Sequence, residues 1–373
     1  MNILCMSNYR TKFTGNFINS LLALGTILCQ DGDEIIYMFP LNDDGSECNW
    51  VEYMRNAGFQ IILYDSAKSW KELTEFLFEI VEKYKIELIH SHFSCLDCIL
   101  LWNQKLHSKV KILYHDHMDY VAEQPVFPQI RKQVKLAKRY RQYGIGVISV
   151  MKRKHFWYFL CTRRWYVPNA LTFKRNVEYS MSRKEARNAI GVKDDEKLVI
   201  FLGWDIYRKG LDVAIKTIKE VRLRGVNAIL GVVGFGEKPD SKTIDRINSI
   251  IGFNPRQDGV RFLNYWEDMF ALHRAADVFL SASRTEAFSY AILEAISQNV
   301  PVVASNIPGT RWCCCYSKTL RFPSGNVDAC ARAILKASAL RDTPSNYQAI
   351  IAEYNIDEWC NRIIDIYKCM LKD

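Results

Sequence analysis

Ser283-Arg284-Thr285-Glu286-Ala287-Phe288-Ser289-Tyr290-Ala291-Ile292-Leu293-Glu294-Ala295 carries two glutamates eight positions apart around a short apolar segment. The run Ala276-Asp277-Val278-Phe279-Leu280-Ser281 before it reads as a buried strand, and Val300-Pro301-Val302-Val303-Ala304 after it as another. Glu286 is therefore expected in a strand-to-helix turn and Glu294 about two turns into the helix. Open α/β sheets bind ligands outside the carboxyl ends of their strands. A helix N-terminus there offers free N–H groups and a positive dipole end, which suits phosphate. Two carboxylates so placed could hold hydroxyls of two different sugar rings, as a nucleotide-sugar requires at its two ends. The same spacing also suits a solvated pair on an amphipathic helix.

Working outward, strands and helices alternate through both halves of the chain. Asn2–Met6, Glu34–Phe39, Phe59–Tyr64, Glu87–His90, Lys109–Tyr114 and Ile145–Ser149 read as strands, with helices at Asn16–Cys29, Trp70–Tyr84 and around Gln129–Gln142. The rhythm breaks near Trp165–Ala170, where a polar, charged stretch runs to Asp195. It restarts with the strand Lys197–Gly203 and the helix Leu211–Arg224, followed by strands at Ala228–Val233, Gly259–Leu263, Asp277–Leu280 and Pro301–Ala304. This rhythm predicts an α/β fold of parallel sheets covered by helices on both faces. The expected division is a doubly wound, Rossmann-like domain over 1–168, a second over 169–350, and a terminal segment 351–373. In that last segment Trp359, Ile363, Ile364, Ile366 and Tyr367 fall at helical spacing.

A chain of 373 residues with 49% apolar and 24% charged content has ample material for two cores. No apolar run is long enough for a spanning helix. Met1–Arg10 reads as an opening strand rather than a signal peptide, so the expected location is the cytoplasm. Twelve cysteines in such a chain read as reduced thiols. Neither Cys95-Leu96-Asp97-Cys98 nor Cys313-Cys314-Cys315 has the spacing of a zinc site, so no metal is expected on them. Asp31-Gly32-Asp33 reads as turn chemistry rather than a metal-binding pair.

The net charge of +9 is unevenly placed. Between Glu123 and Glu178 there are thirteen positive residues and no acidic one, Arg131, Lys132, Lys135, Lys138, Arg139, Arg141, Lys152, Arg153 and Lys154 among them. The rest of the chain is net negative. Such a block suits an anionic partner, and an anionic membrane surface reached through residues 131–154 is one expectation. A solvated helix face is the other. No nucleic-acid partner is expected.

Further residues stand at strand ends where chemistry is expected. In Phe201-Leu202-Gly203-Trp204-Asp205-Ile206-Tyr207-Arg208-Lys209-Gly210, two cations precede a helix start and could neutralise a diphosphate leaving group. Gly231-Val232-Val233-Gly234-Phe235-Gly236 ends a strand in a glycine-rich turn, and Gly259-Val260-Arg261-Phe262-Leu263-Asn264 ends another. Gly15, in Thr14-Gly15-Asn16, permits close backbone approach to a phosphate. His115-Asp116-His117 and His90-Ser91-His92 end neighbouring strands. A histidine there can bind a sugar hydroxyl. An i, i+2 pair could also hold a metal, but no thiol or carboxylate set is evident nearby.

Together these elements resemble the group 1 glycosyltransferases, retaining enzymes of the GT-B fold in glycosyltransferase family four. The likeness is strongest from Phe201 to Gly309. It implies two Rossmann-like domains facing each other across a cleft, with the last helix returning to the first domain. It implies Glu286 and His115 at the transferred sugar, Lys209 at the diphosphate and Glu294 at the ribose. Arg208, Gly15, Gly203, Gly234, Asn264, Phe288 and Ser289 complete the expected donor site. The implied reaction moves a sugar from a nucleotide-sugar, UDP-linked by expectation, to a glycan or lipid-linked acceptor, with no cofactor and no required metal. Ala287, Trp204 and Asn264 depart from residues common in the family, which has glycine, arginine and glycine there. A non-catalytic binding subunit and a phosphorylase of the same fold are the competing expectations.

Overall fold

The computed structural model describes residues 1–11, 14–93, 96–117, 134–135, 138–151, 163–172, 181–253, 259–266 and 268–372. It divides into two compact units, Met1–Thr172 with Tyr354–Asp373, and Phe173–Glu353. In the first unit, β1 (Asn2–Ser7), β2 (Glu34–Pro40), β3 (Gln60–Tyr64), β4 (Leu88–His92), β5 (Lys111–Asp116), β6 (Gly146–Ser149) and β7 (Arg164–Tyr166) form one sheet in the order β3-β2-β1-β4-β5-β6-β7. Every pairing is parallel; Cys5 on β1 stands between Tyr37 and His90.

A parallel sheet covered on both faces needs strands that are apolar without alternation. Ile3-Leu4-Cys5-Met6 meets this need, and all four residues are buried. Ile3 and Cys5 enter a core shared with Ile18 and Leu21 of the helix Gly15–Gln30 and with Ile363, Tyr367 and Met370 of the helix Ile356–Lys372. Leu4 and Met6 enter the opposite core, with Leu73, Leu77 and Ile80 of the helix Trp70–Lys83. The terminal helix is thus part of the first unit's core although it follows the second unit in sequence.

The second unit has β8 (Lys197–Leu202), β9 (Ala228–Val233), β10 (Val260–Leu263), β11 (Val278–Ser281), β12 (Val302–Ser305) and β13 (Thr319–Phe322), in the order β10-β9-β8-β11-β12-β13, again all parallel. In both units the chain winds one way from a central strand and then the other. The reversals fall between β1 and β4 and between β8 and β11, the topological switch points where this architecture binds ligands.

Two sequence expectations need correction. The helix after β11 is Tyr290–Ser297, with the Ser289 hydroxyl capping the Ile292 N–H at 3.4 Å, so Glu294 lies one turn into the helix and not two. The polar stretch before Asp195 contains a helix, Arg183–Ile190, opened by a reciprocal Ser182–Glu185 capping box. Buried Asp277 anchors it, accepting from Arg183 at 2.9 Å, from Arg187 at 3.1 Å and from the Leu198 N–H at 2.8 Å.

Of the basic block, Arg131, Lys132, Lys152, Arg153, Lys154, Lys174 and Arg175 lie outside the described residues. Lys135, Lys138 and Arg141 are exposed, while Arg139 donates to the Tyr143 hydroxyl at 2.8 Å. No described helix is long and apolar enough to cross a membrane.

Candidate active site

The second unit's switch point gathers most of the residues singled out from sequence. Gly210 caps the helix Leu211–Leu223 at φ +75°. A side chain there would meet the Ala282 carbonyl oxygen at 2.1 Å, so glycine lets the loops after β8 and β11 touch. That approach brings Lys209 Nζ to 2.6 Å from Glu286 Oε2. The two side chains keep 20% and 12% of their exposure, so the pair sits at a surface it does not fully share with water. The Ser283 hydroxyl lies 3.4 Å from the same carboxylate oxygen.

The glycines expected at the donor have steric reasons to be glycine. A Cβ on Gly203 would lie 2.8 Å from Lys209 Cγ, so the lysine stem rests flat on Gly203. A Cβ on Gly234 would meet the Gly203 carbonyl oxygen at 2.6 Å. The ends of β8 and β9 therefore lie backbone to backbone beneath the lysine. Asn264 clamps the same edge from β10: its Oδ1 accepts from the Glu237 N–H at 3.1 Å and its Nδ2 donates to Glu237 Oε2 at 3.1 Å. Its side chain holds the glycine-rich turn in place.

Arg208 stands next to Lys209 but is otherwise engaged. The Asp205 carboxylate accepts from its backbone N–H at 2.8 Å and lies 3.4 Å from its Nε. Its guanidinium lies 5.6 Å from the ring centroid of exposed Trp204. Lys209 is thus the cation that reaches Glu286. Glu294 lies further along its helix, with Oε2 3.4 Å from Nε2 of fully buried His273. Phe288 is buried and stacks on Trp312 at 4.4 Å and 10°, while Ser289 caps the helix. The side chains of both serve the loop's structure.

Sequence reasoning missed three contributors. Arg284 donates to both carboxylate oxygens of Asp212 at 2.8 and 2.7 Å, to the Tyr207 carbonyl at 2.5 Å, and lies 4.0 Å from the Tyr207 ring centroid. Hydrogen bonding to the Asp212 carboxylate raises the Arg284 pKa above its ordinary value. Its own N–H reaches the Arg208 carbonyl at 2.8 Å, so this residue ties the Lys209 loop to the Glu286 loop. Gly309 is the second: a Cβ there would lie 1.6 Å from the Glu286 carbonyl oxygen. Its signal was Pro308-Gly309 just beyond a strand, a turn pair that marks close backbone passage. His273, behind Glu294, is the third, and nothing in its spacing announced it.

The first unit carries the other expected residues. Gly15 opens its helix at φ +56°, where a side chain would be strained. His115 is fully buried on β5 with its Nδ1 3.2 Å from His90 Nε2, and His90 Nδ1 lies 2.6 Å from the Tyr367 hydroxyl. His92 Nδ1 lies 2.9 Å from His117 Nε2. The two histidine pairs thus form one cluster, and Cys5 stands beside His90 and His92. Burial pulls the pKa of His90 and His117 down to about 3 and those of His92 and His115 well below their ordinary value, so all four rings are neutral at physiological pH.

Residues 182–359, a little under half the chain, match the family described as glycosyl transferases, group 1. An uncharacterized glycosyltransferase of Methanocaldococcus jannaschii is 32% identical over 123 residues, 33% of this chain and 30% of that one. The lipopolysaccharide glucosyltransferase of Escherichia coli is 31% identical over 138 residues, 36% of this chain and 35% of that one. The chain thus spans about a third of the length of these relatives. Among solved structures, Anabaena HepE in complex with UDP and glucose superposes with a TM-score of 0.77 at 15% identity, covering 99% of this chain and 100% of that one. The α/β fold of two parallel sheets is that of the GT-B proteins.

Proposed function

We propose that the protein is a retaining glycosyltransferase that moves a sugar from a UDP-sugar to a glycan or lipid-linked acceptor in the synthesis of cell-surface glycoconjugates. The observation that carries this reading is the Lys209–Glu286 pair at the β8/β11 switch point, with Glu294 one helical turn beyond. Lys209 supplies positive charge where a diphosphate must leave. Glu286 accepts hydroxyl hydrogen bonds from the transferred sugar, and Glu294 accepts them from the ribose. When donor binds, the diphosphate competes with Glu286 for the ammonium, which frees the carboxylate for the sugar. In the retaining reaction a donor phosphate oxygen takes the acceptor's proton on the face from which the diphosphate departs, so Glu286 positions and does not attack. His115 is fully buried within the first unit, its Nε2 without a hydrogen-bond partner among the described residues, and this reading does not draw on it.

The glucosyltransferase relative and the UDP- and glucose-bound neighbour support this choice of donor and acceptor class. A thermal-shift panel of nucleoside diphosphates and their sugars tests it. A donor present at a hundred times its Kd adds about 2.7 kcal/mol, or roughly 5–10 °C for a unit of this size. UDP and one UDP-sugar are expected to give such a shift, and Lys209→Ala and Glu294→Ala to reduce it. A panel without any shift, or equal shifts in the variants, would count against the reading.

A further inference from the structure

We propose that the histidine cluster of the first unit binds one divalent transition-metal ion of the zinc class, with His92, His115 and His117 as its protein ligands. The ligand atoms of these three residues lie within 4.8 Å of one another. A tetrahedral ion with bonds of about 2.0–2.1 Å needs nitrogens roughly 3.3 Å apart, so the three rings would draw together on binding. His92 Nε2 and His115 Nε2 are buried and have no hydrogen-bond partner among the described residues. A buried ring nitrogen with no partner is costly, and a metal is one of few partners that satisfies two at once.

The surroundings have the form of an outer shell. Metal-bound histidines commonly give their second ring nitrogen to a partner that fixes tautomer and orientation. His115 Nδ1 lies 3.2 Å from His90 Nε2, and His90 Nδ1 lies 2.6 Å from the Tyr367 hydroxyl on the terminal helix, a chain of contacts that fixes the His115 ring. Phe17 meets His92 and His117 edge-on at 5.2 and 5.7 Å, and Phe93 stacks on His117 at 4.4 Å. Phe93 holds φ +55°, a strained backbone for a bulky residue.

Three imidazoles select zinc, cobalt, nickel or copper over magnesium or calcium. Three protein ligands also leave one tetrahedral position to water. The rival set is Cys5, His90 and His92, which shares only His92. Two of its members are less suited, because both His90 nitrogens are already engaged and a thiol must lose its proton to bind. The inference stands apart from the transferase reading. The transferase reading rests on the second unit, so the metal site is tested without donor.

The full chain, purified without a polyhistidine tag and stripped with EDTA, is titrated with Co²⁺ and followed by visible absorbance. One Co²⁺ per chain is expected, with the strong d–d bands of a four-coordinate ion and no thiolate-to-cobalt charge-transfer band. His92→Gln and His117→Gln should each weaken binding by more than the roughly 10–100-fold that an outer-shell partner is worth, and Tyr367→Phe by about that amount. His107→Gln, outside the cluster, should bind as wild type does. Circular dichroism identifies any variant that fails to fold, and His117, at the cluster's edge, is the safer substitution. Absence of saturable uptake, or wild-type affinity in folded His117→Gln, would overturn the proposal. A charge-transfer band would move the ion to Cys5 and overturn the ligand set.

Discussion

Arg284→Ala is expected to destabilise the second unit and to loosen the Lys209 loop together. The substitution removes the two bonds to Asp212, the bond to the Tyr207 carbonyl and the contact with the Tyr207 ring. It leaves the Asp212 carboxylate, whose side chain is 11% exposed, without its cation. Breaking a buried pair by removing one partner costs roughly 3–5 kcal/mol. Arg284 keeps 22% of its side-chain exposure, which places the cost near the lower end, at about 3 kcal/mol. For a unit of this size that is a fall in Tm of roughly 6–12 °C. Asp212→Ala should cost less, because the arginine left behind reaches water more easily than the carboxylate does. A double substitution, Arg284→Met with Asp212→Leu, should recover much of the loss, since a well-packed apolar pair can replace a buried ion pair. Urea unfolding of the four proteins gives the coupling energy directly. An Arg284→Ala midpoint within 1 kcal/mol of wild type would refute the reasoning, as would additive single effects.

Three further outcomes follow from the same geometry. Gly309→Ala should displace the Glu286 backbone, because its Cβ would lie 1.6 Å from the Glu286 carbonyl oxygen; donor affinity should fall at least tenfold in a folded variant, and unchanged affinity by calorimetry would contradict this. Gly210→Ala combines a φ of +75° with a 2.1 Å contact to Ala282, so its cost should exceed the roughly 1–2 kcal/mol of the left-handed backbone alone, as chemical denaturation will show. Glu294→Ala should weaken UDP binding by roughly 1.5–3 kcal/mol, the value of a hydrogen bond to a charged group, and calorimetry with equal Kd values would remove its ribose role.

The sheets and the loops after β8 and β11 are legible because their signals are local. Val278–Ser281 and Val302–Ser305 are short apolar runs bounded by turns, and the segment between them carries its glutamates in view. Lys209 and Glu286 were each found by their position at a strand end, but their 2.6 Å meeting depends on a 77-residue separation that no spacing rule reports. Arg284 was read as part of a motif and not as its fastener, for the same reason: Asp212 is 72 residues away. The helix Arg183–Ile190 was hidden by its charge, since its anchor is the buried carboxylate of Asp277 rather than an apolar stripe. Its Ser182-x-x-Glu185 box was the available signal. In the sequence the histidines stand as two pairs on separate strands. Only the register of β4 beside β5, which sets His92 against His115, makes them one cluster.

The central claim, that the Lys209–Glu286 switch point drives sugar transfer from a nucleotide-sugar, is tested most directly by nucleoside diphosphate release. Wild type, Lys209→Ala and Glu286→Gln would be compared at saturating UDP-sugar, with unfolding curves taken in parallel. The account predicts turnover by wild type and a loss of about 10²–10³ in rate for Lys209→Ala, the usual cost of removing one electrostatic donor at a developing charge. Wild-type rates in a folded Lys209→Ala protein would contradict it.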